Sequence, residues 1–222
     1  MAIDLEDSDE STGSDLMPWP DVPRLAFGPG SFGNDLDANL AWARNRPRDM
    51  YGYVEGYRRA AGALYQYTVE THASPDYMLF PIAFAWRHYL EIALKDIIAA
   101  GRELKGEDWG FPKGHYLLDL WRDALPYITE LGDPAAPELA NVESNLREFD
   151  RIDHGGDGFR YSHNLAGTDR SLAGAPASVS LRILHEAMDA VATFFQCVRS
   201  EQSARLDYMS EYYAEQARAY RP

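Results

Sequence analysis

The residues best suited to chemistry lie near the end of the chain's second third. The segment Asn145-Leu-Arg-Glu-Phe-Asp-Arg-Ile-Asp-His-Gly-Gly-Asp-Gly-Phe-Arg-Tyr-Ser-His163 concentrates Arg147, Asp150, Arg151, Asp153, His154, Asp157, Arg160, Tyr161 and His163. Its pattern predicts a helix end that releases arginine and histidine into a glycine loop. Arginine offers a planar, bidentate clamp for phosphate, and histidine exchanges protons near neutral pH. The combination suits phosphate handling by proton transfer.

A second grouping sits on the segment after Pro81. At about 100° per residue, Ile82, Trp86, Tyr89, Leu90, Ala93 and Ile97 share one arc of a helix. Arg87, Leu94 and Ile98 share another, and Phe84, His88, Glu91 and Lys95 a third. A helix apolar nearly all round belongs in the centre of a bundle. Arg87, His88 and Glu91 are then polar groups within or beside the core, where charges are costly unless paired. Arg87 and Glu91 at i,i+4, and His88 and Glu91 at i,i+3, are spaced for local pairing. Two roles are open: a structural network that packs the glycine loop onto the bundle, or a site with His88 as proton carrier. His-x-x-Glu occurs once here, whereas a di-metal bundle needs two Glu-x-x-His elements, so no metal ligands are assigned. Gly28-Pro-Gly-Ser-Phe-Gly33 is a literal G-x-G-x-x-G, but Arg24–Phe27 is a poor strand and no βαβ unit follows, so it is read as a turn.

The elements that must position these groups are helices. Met50–Thr71 carries apolar residues three to four apart. Ser74-Pro75 reads as an N-cap and first helical residue. Pro81 implies a kink or a second start, and Gly101 reads as the stop. Gly106–Gly114 is a loop, and His115–Leu131 is an amphipathic helix. Asp133-Pro134 opens a helix running to about Ile152, and Asp153–Ser178 is a long irregular loop. Val179 to about Ala219 is a single helix with Leu181, Leu184, Met188, Val191, Phe195 and Val198 as its stripe. Some 40 helical residues span roughly 60 Å, so the tyrosine-rich end should project or fold back as an association surface. Asp35–Arg46 is a further short candidate. The fold class is all-α, a bundle of about five main helices with one long loop and a long C-terminal helix.

The chain has 222 residues, 45% hydrophobic and 25% charged, which allows one domain with a sizeable core. Its net charge of −14 argues against gripping nucleic acid through bulk positive charge, though not against a local basic pocket. Residues 1–23 hold seven acids and neither lysine nor arginine. Residues 1–16 are predicted to be a disordered acidic tail, 17–34 an extended Pro/Gly-rich segment, and 35–222 a single helical domain. The lone Cys197 excludes a disulfide framework. No basic-then-apolar leader and no apolar run near 20 residues is present, which predicts a cytoplasmic protein without membrane association.

Three elements carry a family resemblance over roughly residues 50–200. They are Arg87-His-Tyr-Leu-Glu-Ile-Ala-Leu-Lys95, the His-led helix His115-Tyr-Leu-Leu-Asp-Leu-Trp121, and Asp153 followed by Phe159-Arg-Tyr161. Together they resemble a group of bacterial helical proteins similar to HEPN-type domains. Many HEPN domains are metal-independent RNases of toxin–antitoxin and antiphage systems, and others are inactive binding modules. The family's Arg, four to six residues, His signature falls on Arg147 and His154, with Glu148 where active members carry Asn, His or Asp. The loop also departs from the group, with Ser162 where proline often follows Phe-Arg-Tyr. The resemblance implies Arg147 and His154 as the catalytic pair, with no cofactor, acting on RNA across a homodimer or with a defence-system partner. Arg87, His88, Glu91, Asp153, Arg160, Tyr161 and His163 are the candidates for a ligand-binding or structural polar network. A non-catalytic scaffold, sensor or anionic-ligand binder is the alternative, so enzymatic activity stays open at this point.

Overall fold

The computed structural model describes residues 50–108, 110–132, 136–163 and 166–219. The chain divides into two units, Met1–Asn45 and Arg46–Pro222. Every described residue lies in the second. The acidic tail, the extended 17–34 segment, the Gly28–Gly33 motif, the Asp35–Arg46 candidate and the Asp133-Pro134 start lie outside the described residues.

The described residues are all-α, with helices α1 (Tyr51–Thr71), α2 (Pro75–Leu104), α3 (Leu117–Thr129), α4 (Ala136–Ile152) and α5 (Leu181–Ala219). The span between α4 and α5 is made of turns, with one isolated antiparallel bridge between His163 and Arg170. Helix α2 is the middle of the bundle and packs on α1, α3 and α5. Its Ile82, Trp86, Leu90, Leu94 and Ile98 are sealed from solvent. They meet Leu117, Leu120 and Trp121 of α3, Leu146 and Phe149 of α4, and Met188, Val191 and Phe195 of α5. Each such side chain contributes about 1.5–3 kcal/mol by leaving water, so the apolar girth of α2 is what assembles the other helices around it.

Of the kink or second start expected at Pro81, the second start is not made, because α2 runs through that residue. The bond it forfeits belongs to the carbonyl of Tyr77, an exposed residue in an exposed first turn where water can replace it. Gly101 does not end α2. The ring of Tyr127 lies directly over it, and a Cβ at this position would overlap that ring. The helix stops at Gly106, whose φ of 67° begins the reversal. There Glu107 N–H donates to the carbonyl of Arg102 (2.9 Å) and Gly106 N–H to that of Glu103 (3.1 Å). This pair of bonds is the Schellman stop, which needs a left-handed residue at the first non-helical position. Ser74 precedes α2 without a side-chain cap bond, and Pro75 occupies the first turn.

Helix α5 keeps its stripe buried from Met188 to Gln202. Arg205 then donates to the carbonyls of Glu130 (3.3 Å) and Leu131 (2.5 Å), satisfying the open end of α3. From residue 210 to 219 every position is exposed, and Tyr208 and Tyr213 show most of their surface to solvent, Tyr212 about half.

Candidate functional site

Helix α2 carries a buried ionic cluster about two turns long. Arg87 is 1% exposed, Glu91 7% and Lys95 5%. Glu91 Oε1 accepts from Lys95 Nζ at 2.8 Å and from His115 Nδ1 at 2.7 Å, and Glu91 Oε2 accepts from Arg87 Nη1 at 3.4 Å. Burial raises the Glu91 pKa, but the hydrogen bonds from Lys95 and His115 overcome it and hold the carboxyl below its ordinary value. Arg87 reaches further. Its Nη2 donates to the carbonyl of His115 (2.6 Å) and its Nε to that of Asp153 (3.3 Å). Burial lowers its pKa, with Glu91, Asp153 and Asp150 opposing, and a guanidinium stays protonated under such conditions.

One guanidinium thus ties α2 to the segment before α3 and to the residue that ends α4. The glycine loop closes over it. Gly156 has a φ of 81°, and a Cβ there would sit 3.5 Å from Arg87 Nη2. Asp153 Oδ1 accepts the N–H of Gly158 at 2.8 Å, which turns the loop back. Asp153 Oδ2 and Asp150 Oδ1 are buried with no hydrogen-bond partner. Both carboxylates act electrostatically on Arg87.

The expected pairing of His88 with Glu91 is not made. Glu91 is already engaged by Arg87, Lys95 and His115, and His88 lies instead among rings, 4.4 Å from Tyr57 and stacked 5.8 Å from Phe84. Burial lowers its pKa; Glu91 opposes that shift, while Arg87, Lys95 and Arg160 add to it. Arg160 covers the Phe84 ring at 5.8 Å and its neighbour Tyr161 at 5.0 Å, and pairs with Asp157 at 3.2 Å. The loop therefore lies across the face of α2 that carries Phe84 and His88.

Arg147 and His154 stand apart from this buried cluster. Both side chains are open to solvent, 63% and 64% exposed. Seven residues is close to two helical turns, so they leave α4 and its last residues on one face, and Asp150 lies between them. His154 Nδ1 meets Asp150 Oδ2 at 2.9 Å, and its ring stacks on Tyr116 at 4.2 Å. The carboxylate, itself mostly buried, favours the Nδ1–H tautomer and leaves Nε2 as the basic nitrogen. Arg147 is paired with Glu143, one turn back. No hydrogen bond joins Arg147 to His154.

The structure thus brings Arg87, Glu91 and Asp153 into one network and lays Arg160 beside His88. Tyr161 and His163 are exposed on the outer part of the loop, where His163 Nδ1 lies 3.0 Å from Ser162 Oγ. Sequence reasoning missed the parts played by Asp150, Lys95, His115 and Tyr116. The i,i+4 spacings of Asp150–His154 and Glu91–Lys95 were visible signals. The His115–Glu91 and Tyr116–His154 contacts depend on how α3 is placed and had none.

Among the described residues no three His, Cys, Asp or Glu side chains gather into a metal-binding group, and no helix is long and apolar enough to cross a membrane. No protein-family model, curated protein or solved structure matches the chain.

Proposed function

We propose that the protein is a HEPN-like, metal-independent endoribonuclease of a bacterial defence or toxin–antitoxin kind, with His154 and Arg147 as its reacting groups. The observation that supports it is the solvent-facing His154 ring, whose Nδ1 is held by Asp150 while Tyr116 backs its face. That arrangement suits a general base better than a structural histidine. Nε2 takes the proton of an RNA 2′-hydroxyl, and the 2′-oxygen attacks the adjacent phosphorus. The 5′-oxygen leaves with a proton from an imidazolium, giving a 2′,3′-cyclic phosphate and a 5′-hydroxyl. Arg147, freed from Glu143, stabilises the charge on the phosphorane oxygens.

On a single copy Arg147 and His154 stand open to solvent on one face. A second copy, bringing its own His154 and Arg147, supplies the other wall and the acid for the leaving group. RNA cleavage in EDTA, measured on full-length protein alongside its oligomeric state, tests the reading. Wild type should cleave as a dimer, His154→Ala should lose at least about 10²–10⁴-fold, and Asp150→Asn should fall between them. Unchanged cleavage by His154→Ala rejects the assignment.

A non-catalytic HEPN-like scaffold is the second reading. The Arg147–Glu143 pair favours it, because it occupies the proposed phosphate clamp with a carboxylate. Folded wild-type protein that leaves RNA intact decides for it.

A further inference from the structure

The outer loop holds a cavity of about 630 Å³ that the proposed chemistry does not use. Arg160, His163 and Arg170 line it together with Phe80 and Tyr161, and no carboxylate is among its described lining residues. Asp157 offsets Arg160 at 3.2 Å, so Arg170 is the charge of this lining left without an ion pair among the described residues, in a chain of net charge −14.

The backbone holds His163 and Arg170 together. The antiparallel bridge between His163 and Arg170, backed by Ser171 N–H donating to the carbonyl of Ser162 (3.2 Å), sets those two residues side by side. Arg160 gives one nitrogen to Asp157 (3.2 Å) and another to the Tyr161 hydroxyl (3.0 Å). Arg170 has no ion pair among the described residues, and His163 engages only its Nδ1, with Ser162. The remaining lining is largely apolar, and Phe80 and Tyr161 expose 45% and 52% of their surface. Ligand pockets of this size pair apolar and aromatic walls with a few convergent polar groups.

We propose that this pocket binds a nucleotide: a phosphomonoester held by Arg170, Arg160 and His163, and a base held against Phe80 and Tyr161. A doubly charged phosphate suits two guanidinium groups, and a base face suits an aromatic wall. A free mononucleotide and the 5′-phosphorylated end of an RNA strand present the same chemistry. The site is separate from His154 and stands whether or not the protein cleaves RNA.

Calorimetric titration of the full chain with 5′-AMP, adenosine and inorganic phosphate tests it. AMP should bind at least about tenfold more tightly than either fragment. Arg170→Glu should abolish that binding and Arg160→Gln weaken it about tenfold or more. The thermal midpoint of Arg170→Glu in the absence of ligand should match wild type, because the side chain has no ion pair or hydrogen bond to lose among the described residues. His154→Ala should bind AMP as wild type does, which separates this site from the proposed nuclease centre. Competition by 5′-phosphorylated against 5′-hydroxyl oligoribonucleotide assigns the source, since only the RNA-end case gives a preference for the phosphorylated strand. AMP binding no tighter than phosphate, or unaltered in Arg170→Glu, overturns the proposal.

Discussion

Replacing Arg87 with methionine removes the one side chain that binds three separated segments while nearly preserving core volume. The magnitude follows from what is left behind. The His115 carbonyl loses a short charge-assisted bond of 2.6 Å, and the Asp153 carbonyl and Glu91 lose longer ones of 3.3 and 3.4 Å. Breaking a buried charged pair costs about 3–5 kcal/mol. Glu91 keeps Lys95 and His115, which places the loss near the lower end, about 3 kcal/mol. For a unit of this size that corresponds to a thermal midpoint lower by about 6–12 °C. Urea unfolding followed by tryptophan fluorescence measures it, because Trp86 and Trp121 are both buried in the core and report its opening. The exposed Lys105–Glu130 pair is the control, and Lys105→Met should leave the midpoint where it is. A loss below about 1 kcal/mol for Arg87→Met would mean that the cluster is a solvated coincidence, and the positioning role assigned to it would fall.

Two further outcomes follow from named contacts. His88 has a pKa below the ordinary histidine value because of burial, so the unfolded ring binds its proton more tightly than the folded one. Its share of stability is complete above about pH 6.5 and is lost as the pH falls from there toward the depressed folded value. His88→Phe, which keeps a ring beside Tyr57 and Phe84, should therefore flatten the decline in thermal midpoint between pH 7 and 5; an unchanged slope would show that His88 does not contribute to it. Gly101→Ala tests the Tyr127 contact by sign. A helix-interior glycine with free space gains about 1 kcal/mol on becoming alanine, whereas overlap with the Tyr127 ring costs about 1–3 kcal/mol. Destabilisation that Tyr127→Ala relieves in the double variant is the expected result, and simple stabilisation would refute the packing argument.

The helical layout was legible because α2 and α5 carry long apolar patterns that only a bundle buries. The long stretch after Ile152 was legible as irregular from its glycines and its lack of period. The stops were less so. Gly101 and Gly106 are the same residue type five positions apart, and local sequence favours whichever comes first. What distinguishes them is Tyr127, more than twenty residues away, which occupies the space over Gly101 and leaves the reversal to Gly106. Polar residues of α2 were recognisable as misplaced from the apolar arcs around them, and Arg87 with Glu91 from their spacing. The choice of partner for His88 was not, because it rests on Tyr57 of α1 and on Arg160 of the loop. Spacing alone also could not say that Arg147 turns back to Glu143, since Glu143 and Asp150 are both within one turn of it.

The buried cluster and the exposed histidine are not independent features. Arg87 holds two carbonyls, those of His115 and Asp153, and the next residue after each is Tyr116 and His154. Those two neighbours are the rings that stack on one another. A single guanidinium therefore sets the spacing between the entry to α3 and the exit of α4, and the stack forms where the two strands of chain are brought together. Asp150 completes the arrangement, with one carboxylate oxygen on His154 and the other buried in the field of Arg87. Charge placed in the core at a cost in desolvation is thus converted into a fixed orientation of an imidazole at the surface. The structural role of Arg87 and the chemical role proposed for His154 are then two ends of one mechanical linkage rather than competing explanations of the same polar residues.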